Sequence, residues 1–105
     1  MVYNLIVTER ADELIDKLTA YLIYKLKNPD AALHFIDELS EIYDRLEQNA
    51  YQFPESKDSF LMKCGYREAY FRSMSYRVVF RIEDCTVYIV GVYHNLEDYI
   101  KKVED

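Results

Sequence analysis

Glycine and proline are scarce in this chain of 105 residues, with two of each. So few chain-breaking residues leave no room for a long flexible linker, and we expect one domain spanning residues 1–105. Tryptophan is absent, and no apolar run approaches the roughly 20 residues of a membrane-spanning helix. Hydrophobic residues nevertheless make up 50% of the chain, which suffices for a core and excludes a disordered polypeptide.

Cysteine is also rare, because Cys64 and Cys85 are the only two. Their spacing fits no metal-binding or redox motif, so we expect free thiols. The first residues, Met1-Val2-Tyr3, lack the basic segment that opens a secretory signal. The sequence therefore predicts a cytoplasmic protein without a metal or cofactor.

Basic residues are fewer than acidic ones, 13 against 19, which gives a net charge of −6. Residues 63–81 reverse this balance with five basic residues and only Glu68 as an acid, a net charge of +4 that leaves −10 elsewhere. The total argues against general nucleic-acid binding, which needs a basic surface. The local excess indicates either an anion site or a sheet face of solvated arginines.

The apolar spacing predicts an α+β fold in the order β-α-α-β-β-β-α. A strand over residues 3–8 leads through a Thr8 cap into a helix, and Asn28-Pro29 restarts a second helix to form a hairpin. Residues 49–64 are expected to be irregular. Three strands follow, and Asn95 is expected to cap a last short helix. His34, near the start of the second helix, is expected to be structural or solvated.

The strand pattern also predicts which side chains share a face. Val78, Phe80 and Ile82 should face the core, which turns Arg77 and Arg81 to the other side. We expect Arg72 opposite Arg77, Glu68 opposite Arg81, Val87 opposite Ile82 and Val92 opposite Arg77. The face away from the core should then collect Glu68, Tyr70, Arg72, Arg77, Arg81, Tyr88, Val90, Val92 and His94. Two arginines directly opposite each other repel unless an anion lies between them.

Four segments resemble the RelE/ParE superfamily of toxins from bacterial type II toxin–antitoxin systems: YNLIVTERADELIDKL, NPDAALHFIDEL, QFPE and GYRE…YRVVFRIEDCTVYIVGVYHNLEDY. The resemblance spans nearly the whole chain. It implies a small antiparallel sheet with a helical hairpin packed on one face. It also implies a cognate antitoxin whose extended or helical tail wraps the toxin.

In ribonuclease members of the family, the resemblance assigns catalytic roles to Arg77, His94 and Glu55. Arg77, helped by Arg72, would hold the scissile phosphate, while His94 and Glu55 would carry protons. Further substrate contacts would come from Arg81, and bases would stack on Tyr70, Tyr88 or Tyr99. The chain departs from other ribonuclease members, which carry lysines where Glu68 and Tyr70 stand.

Three functions follow from the resemblance. The leading one is a metal-independent endoribonuclease that cleaves mRNA, including ribosome-bound mRNA. The second is a ParE-like inhibitor of DNA gyrase, and the third is a non-catalytic homologue that only binds its antitoxin. In each case we expect the antitoxin to cover apolar surface, either on the helical hairpin or around Val79, Val90 and Val92.

Overall fold

The computed structural model describes residues 2–95 and confirms the predicted α+β class. Its helices and strands are β1 (Asn4–Val7), α1 (Glu9–Ala20), α2 (Pro29–Asn49), α3 (Ser59–Lys63), β2 (Tyr66–Tyr70), β3 (Tyr76–Glu83) and β4 (Thr86–His94). The helix predicted after Asn95 lies outside the described residues, as does Tyr99.

The helical hairpin forms where the caps predicted it. Thr8 Oγ accepts from the Ala11 amide at 3.2 Å, and Asn28 Oδ1 accepts from the Ala31 amide at 3.1 Å. Between the caps, α1 gives way to a π-helical turn over Tyr21–Lys25. Lys27 then adopts a positive φ of 53°, which reverses the chain direction before α2.

The sheet has the strand order β1-β4-β3-β2, with β1 parallel to β4 and the other pairs antiparallel. The hairpin packs on one face, called here the helix-side face, where the core contains Phe35, Leu39, Ile42 and Leu46 of α2 against Val78, Phe80, Val87, Ile89 and Val92 of the sheet. The opposite face, carrying Glu68, Arg77, Val79, Arg81 and Tyr88, is called the far face. No described helix has the length and apolarity needed to cross a membrane.

The segment between α2 and β2 is more ordered than expected. A 3-10 turn over Ala50–Gln52 follows α2, and Asp58 caps α3 by accepting from the Leu61 amide at 3.0 Å. Between these turns the chain runs along the outer edge of β2, with Ser56 N–H donating to Tyr66 C=O at 3.0 Å. The prediction of an irregular segment over 49–64 was therefore wrong for α3, whose five residues are too few to show helical periodicity.

The pairing of β2 with β3 differs from the predicted register by two residues. Tyr70, not Arg72, lies opposite Arg77, and Glu68 lies opposite Val79 rather than Arg81. The connection consists of the four residues between Phe71 and Tyr76, because Phe71 N–H donates to Tyr76 C=O at 2.9 Å. This register avoids two opposed arginines and places Glu68 diagonal to Arg77, where the charges attract.

The pairing of β3 with β4 follows the predicted register only up to a β-bulge. Ile82 lies opposite Val87 as predicted, but the register shifts between Val79 and Phe80. Beyond the shift, Val92 lies opposite Val78 and joins the core, so its predicted position opposite Arg77 was wrong. One extra residue reverses the side to which each later side chain points.

Candidate functional site

Arg77, the residue expected to hold a phosphate, is buried in an ion pair. Its Nε lies 3.0 Å from Glu68 Oε2, and the two side chains are 2% and 1% exposed. Its Nη1 donates to the carbonyl oxygen of His94 at 3.0 Å and to Asn95 Oδ1 at 3.3 Å. The guanidinium therefore neutralises an internal carboxylate and secures the end of β4, instead of facing solvent.

Glu68 connects this ion pair to the segment that covers the β2 edge. Its Oε1 accepts from the Lys57 amide at 3.2 Å and from the Tyr70 hydroxyl at 3.3 Å. The Lys57 ammonium in turn lies over the Tyr70 ring, 5.2 Å from its centroid. Sequence comparison marked Glu68 as a departure from other ribonuclease members, and the structure shows the departure to be the counter-ion of Arg77.

His94 points to the opposite face from Arg77. It lies directly across the ladder from Tyr76, and the two rings meet edge to face with centroids 5.5 Å apart. Tyr76 belongs to the helix-side core, where its ring also meets Phe35. Tyr76 and Arg77 are neighbours in β3, so their side chains point to opposite faces of the sheet. Arg77 therefore faces the far side, while His94, the partner of Tyr76, faces the helix side. The expected alignment of guanidinium and imidazole on one face was wrong.

Glu55, the expected second proton carrier, lies remote from His94. It bridges to Arg67 at the outer edge of β2, and Arg67 lies opposite Phe80 of β3. His94 lies two strands further across the sheet from β2 and near the other end of β3. Strand spacings of about 4.8 Å and rises of about 3.3 Å per residue separate the two backbones by roughly 20 Å.

The other arginines of the basic stretch are also paired with carboxylates. Arg72 Nη2 lies 2.6 Å from a Glu41 oxygen, and Arg81 Nη1 lies 2.8 Å from a Glu83 oxygen. Arg67 Nη1 donates to Phe53 C=O at 2.7 Å, and its Nη2 lies 4.0 Å from Glu55. Each arginine of the basic stretch thus has a neighbouring carboxylate, from α2, from the segment before β2, from β2 or from the end of β3.

Two of the tyrosines expected to stack on bases already have cationic neighbours. The Arg81 guanidinium lies 4.3 Å from the centroid of the Tyr88 ring, and Lys57 lies over Tyr70. Both rings lie on the far face, as predicted. The structure therefore brings Arg77, Arg81, Tyr70 and Tyr88 to one face but places His94 and Glu55 elsewhere. Their catalytic roles stay predictions.

A second polar cluster joins α2 to the connection between β2 and β3. Glu38 Oε1 accepts from the amides of Arg72 at 2.8 Å and Ser73 at 3.1 Å, and Oε2 accepts from the Ser73 hydroxyl at 2.9 Å. His34 Nε2 lies 3.0 Å from the same carboxylate and 2.6 Å from Ser73 Oγ. Burial raises the pKa of Glu38, but the hydrogen bonds from Ser73 and Arg72, together with His34, outweigh it and lower that pKa below 4.5.

This cluster was not anticipated from the sequence, which left His34 as structural or solvated. His34 is indeed half exposed and serves a structural contact. Glu38 and Ser73 both contact Nε2 of His34. A catalytic relay needs the carboxylate on one imidazole nitrogen and the hydroxyl on the other, so these three groups do not activate the Ser73 hydroxyl. The cluster fixes the β2–β3 connection onto α2.

The surface expected to receive the antitoxin is only partly as predicted. Val79 and Val92 are fully buried, so the expectation of exposed valines there was wrong, and Val90 is half buried. The hairpin tip does expose large apolar side chains, namely Tyr21, Tyr24, Leu26, Leu33 and Ile36. Neither cysteine forms a disulfide, in agreement with the predicted thiols, and both are exposed.

Comparisons with known proteins agree with this fold. The family described as the ParE toxin of the type II toxin-antitoxin system parDE matches residues 5–99. A chain of the chromosomal ParDE system of P. aeruginosa superposes with a TM-score of 0.70 at 20% identity, covering 89% of this chain and 96% of its own. No curated protein matches significantly.

Two further solved structures are similar. The RelBE2 toxin–antitoxin complex of Mycobacterium tuberculosis contains a chain with a TM-score of 0.59 and 21% identity, covering 90% of this chain and 99% of its own. A free double mutant of the E. coli toxin RelE gives 0.52 and 20% identity, covering 97% and 93%. At these identities the solved structures establish the fold.

Proposed function

The chain belongs to the ParE toxin family of type II toxin–antitoxin systems, and from this premise we propose that it acts on a protein target, DNA gyrase, and does not cleave RNA. Its partner in the cell is a cognate antitoxin. The observation that carries the proposal is the Glu68–Arg77 ion pair, which encloses the guanidinium that a ribonuclease would present to phosphate.

Charge supports a protein target as well. A polynucleotide carries one negative charge per phosphate, and its binding depends on cations that are free to replace counterions. Here every arginine of the basic stretch has a carboxylate within 4.0 Å, namely Arg67, Arg72, Arg77 and Arg81. The net charge of the chain is −6. The geometry of the proton carriers points the same way, because His94 faces the core side.

The test is expression of the chain in growing cells together with assays of the purified protein. We expect growth arrest with induction of the DNA-damage response, and inhibition of gyrase supercoiling in vitro. His94→Ala and Glu55→Gln should retain full toxicity. Glu55 is exposed, so Glu55→Gln tests the second expected proton carrier without disturbing the fold.

Two results would contradict the proposal. Transcript ends that accumulate on induction and disappear with His94→Ala would establish RNA cleavage. Absence of growth arrest, with tight binding to the antitoxin retained, would identify a non-catalytic homologue without a cellular target.

A further inference from the structure

The tip of the helical hairpin carries only positive charge. Residues 17–29 contain Lys17, Lys25 and Lys27 and no acid, a net charge of +3 that leaves −9 for the rest of the chain. All three lysines are exposed. Among the described residues none of them has a carboxylate within 4.0 Å, unlike the arginines of the basic stretch. Within residues 2–95 the fold therefore leaves these three cations available to a partner.

Large apolar side chains lie between these lysines in the sequence. Tyr24 is 76% exposed, Leu26 is 53% exposed and Tyr21 is 48% exposed. Tyr70 on the far face, by comparison, lies beneath the Lys57 ammonium. In the described part of the chain, neither tyrosine of the tip has a cation or a second ring against it. Isolated exposed apolar residues are normal, but a cluster of large ones is typical of an interaction site.

A π-helical turn holds these side chains on the body of the protein. Leu26 N–H donates to Tyr21 C=O at 3.0 Å, and Asn28 N–H donates to Leu22 C=O at 2.9 Å. The first bond spans five residues, so Leu26 lies about one turn beyond Tyr21. Leu22 is 4% exposed and belongs to the hydrophobic core. Turns of this kind are frequent at functional sites.

The residue types at the tip fit an acidic protein surface better than a nucleic acid. Tyrosine is among the residues that contribute most to binding energy at protein interfaces. Exposed lysines around it attract a surface of opposite charge and accelerate association. Three cations replace few counterions on a polynucleotide, and the −9 on the rest of the chain repels it. The complementary surface is therefore an acidic patch that surrounds an apolar pocket.

We propose that the hairpin tip is the surface through which the chain contacts its protein target. The inference rests on the proposed function for the identity of that target, DNA gyrase, and adds the surfaces that meet. The side chain of Tyr24 enters an apolar pocket of the target, and the lysines face acidic residues around the pocket. The contacting side chains, called here the tip surface, are Lys17, Tyr21, Tyr24, Lys25, Leu26 and Lys27.

Supercoiling of relaxed plasmid by purified gyrase, measured against the concentration of added chain, tests the role of Tyr24. Tyr24→Ala should raise the concentration for half inhibition by at least about tenfold, because a central aromatic contact is lost. Phe60→Ala is the control, since Phe60 is an exposed aromatic residue of α3, 47% exposed. It should change that concentration by less than about threefold. Thermal melts should show both variants to be folded.

A charge reversal tests the lysines independently of the aromatic contact. Lys25→Glu should weaken inhibition by about fivefold at low salt, and the loss should shrink as salt rises, because exposed charges are screened. Lys63→Glu is the matched control, because it makes the same change in net charge at an exposed lysine of α3. It should leave inhibition and its salt dependence unchanged.

A photo-crosslinker identifies what touches the tip surface. With Tyr24→p-benzoylphenylalanine, irradiation of the chain with gyrase and plasmid should give a covalent adduct to a gyrase subunit. The same replacement at Phe60 should give none. An adduct of the position-24 variant to DNA and not to protein would overturn the protein contact in favour of nucleic acid.

The outcomes separate this inference from the proposed function. If wild type inhibits gyrase and Tyr24→Ala and Lys25→Glu inhibit it equally well, the tip surface is not the contact and the proposed function stands. Equal losses for each tip variant and its control would likewise overturn the inference alone. If wild type does not inhibit gyrase, the proposed function fails, and the inference that rests on it fails with it.

Discussion

Removal of the Arg77 side chain should destabilise the fold strongly, in contrast to its expected effect in a ribonuclease. In an enzyme of that kind, Arg77→Ala would abolish activity and leave the fold intact. Here the guanidinium neutralises Glu68, and both side chains are almost fully buried. Truncation leaves a carboxylate without its counter-ion in a region from which water is excluded.

The expected cost is large relative to the stability of a small domain. Breaking a buried ion pair by removing one partner typically costs about 3–5 kcal/mol. The Lys57 amide and the Tyr70 hydroxyl still donate to Glu68 in the variant, which favours the lower end of that range. Since about 1 kcal/mol shifts the Tm of a domain of this size by at least roughly 4 °C, the Tm should fall by about 12 °C or more.

Arg72→Ala is the matched control, because Arg72 is also paired with a carboxylate but its side chain is 68% exposed. Such surface pairs contribute at most about 1 kcal/mol, so that Tm should fall only slightly. The double variant Glu68→Leu with Arg77→Met should regain most of the loss, since no buried charge remains. Thermal and urea unfolding of the four proteins measure these effects. Equal losses for Arg77→Ala and Arg72→Ala would refute the structural role of the ion pair.

Three further predictions concern groups elsewhere in the fold. Hydrogen bonds lower the pKa of Glu38 below 4.5. The ionised carboxylate therefore stabilises the fold above pH 4.5, and this contribution is lost as the pH falls through the lowered pKa. In acid unfolding, the stability advantage of wild type over Glu38→Gln should shrink accordingly. Burial, and to a lesser degree the charge of Asp12, raise the pKa of Tyr43 from 10.0 to about 12. Above pH 10 the phenol ionises more readily in the unfolded chain than in the fold, so the stability of wild type should decline. Tyr43→Phe should decline less, and urea unfolding at a series of pH values measures the difference. Gly91→Ala places a methyl group 2.5 Å from the buried Tyr93 ring and should cost about 1–3 kcal/mol of stability. In a Tyr93→Leu background the ring is absent, so Gly91→Ala should cost less there. Thermal melts of the single and double variants measure both losses.

Local signals in the sequence predicted the helical hairpin and the existence of every strand. Thr8 and Asn28 are good cap residues, and both caps form. Strand register depends instead on contacts between distant segments. The carboxylate of Glu38 holds the amides of Arg72 and Ser73 from another element, and that contact fixes the four-residue connection that sets the β2–β3 register. No local pattern around residue 72 contains this information.

The position of His94 shows why the candidate site could not be transferred from a resemblance alone. Sequence alignment locates a histidine by its place near the end of a strand, whereas its chemistry depends on the side of the sheet to which it points. One bulge in β4 decides that side, because it turns Val92 into the core, Tyr93 to the far face and His94 back toward Tyr76. Gly91 was the available signal, since a glycine inside a strand often marks a bulge or a close approach. A Cβ at Gly91 would lie 2.5 Å from the Tyr93 ring, so a side chain there would clash with the ring in its present position. The side of the sheet to which His94 points is therefore decided by the register shift in the β3–β4 pairing and not by the chemistry of the histidine itself.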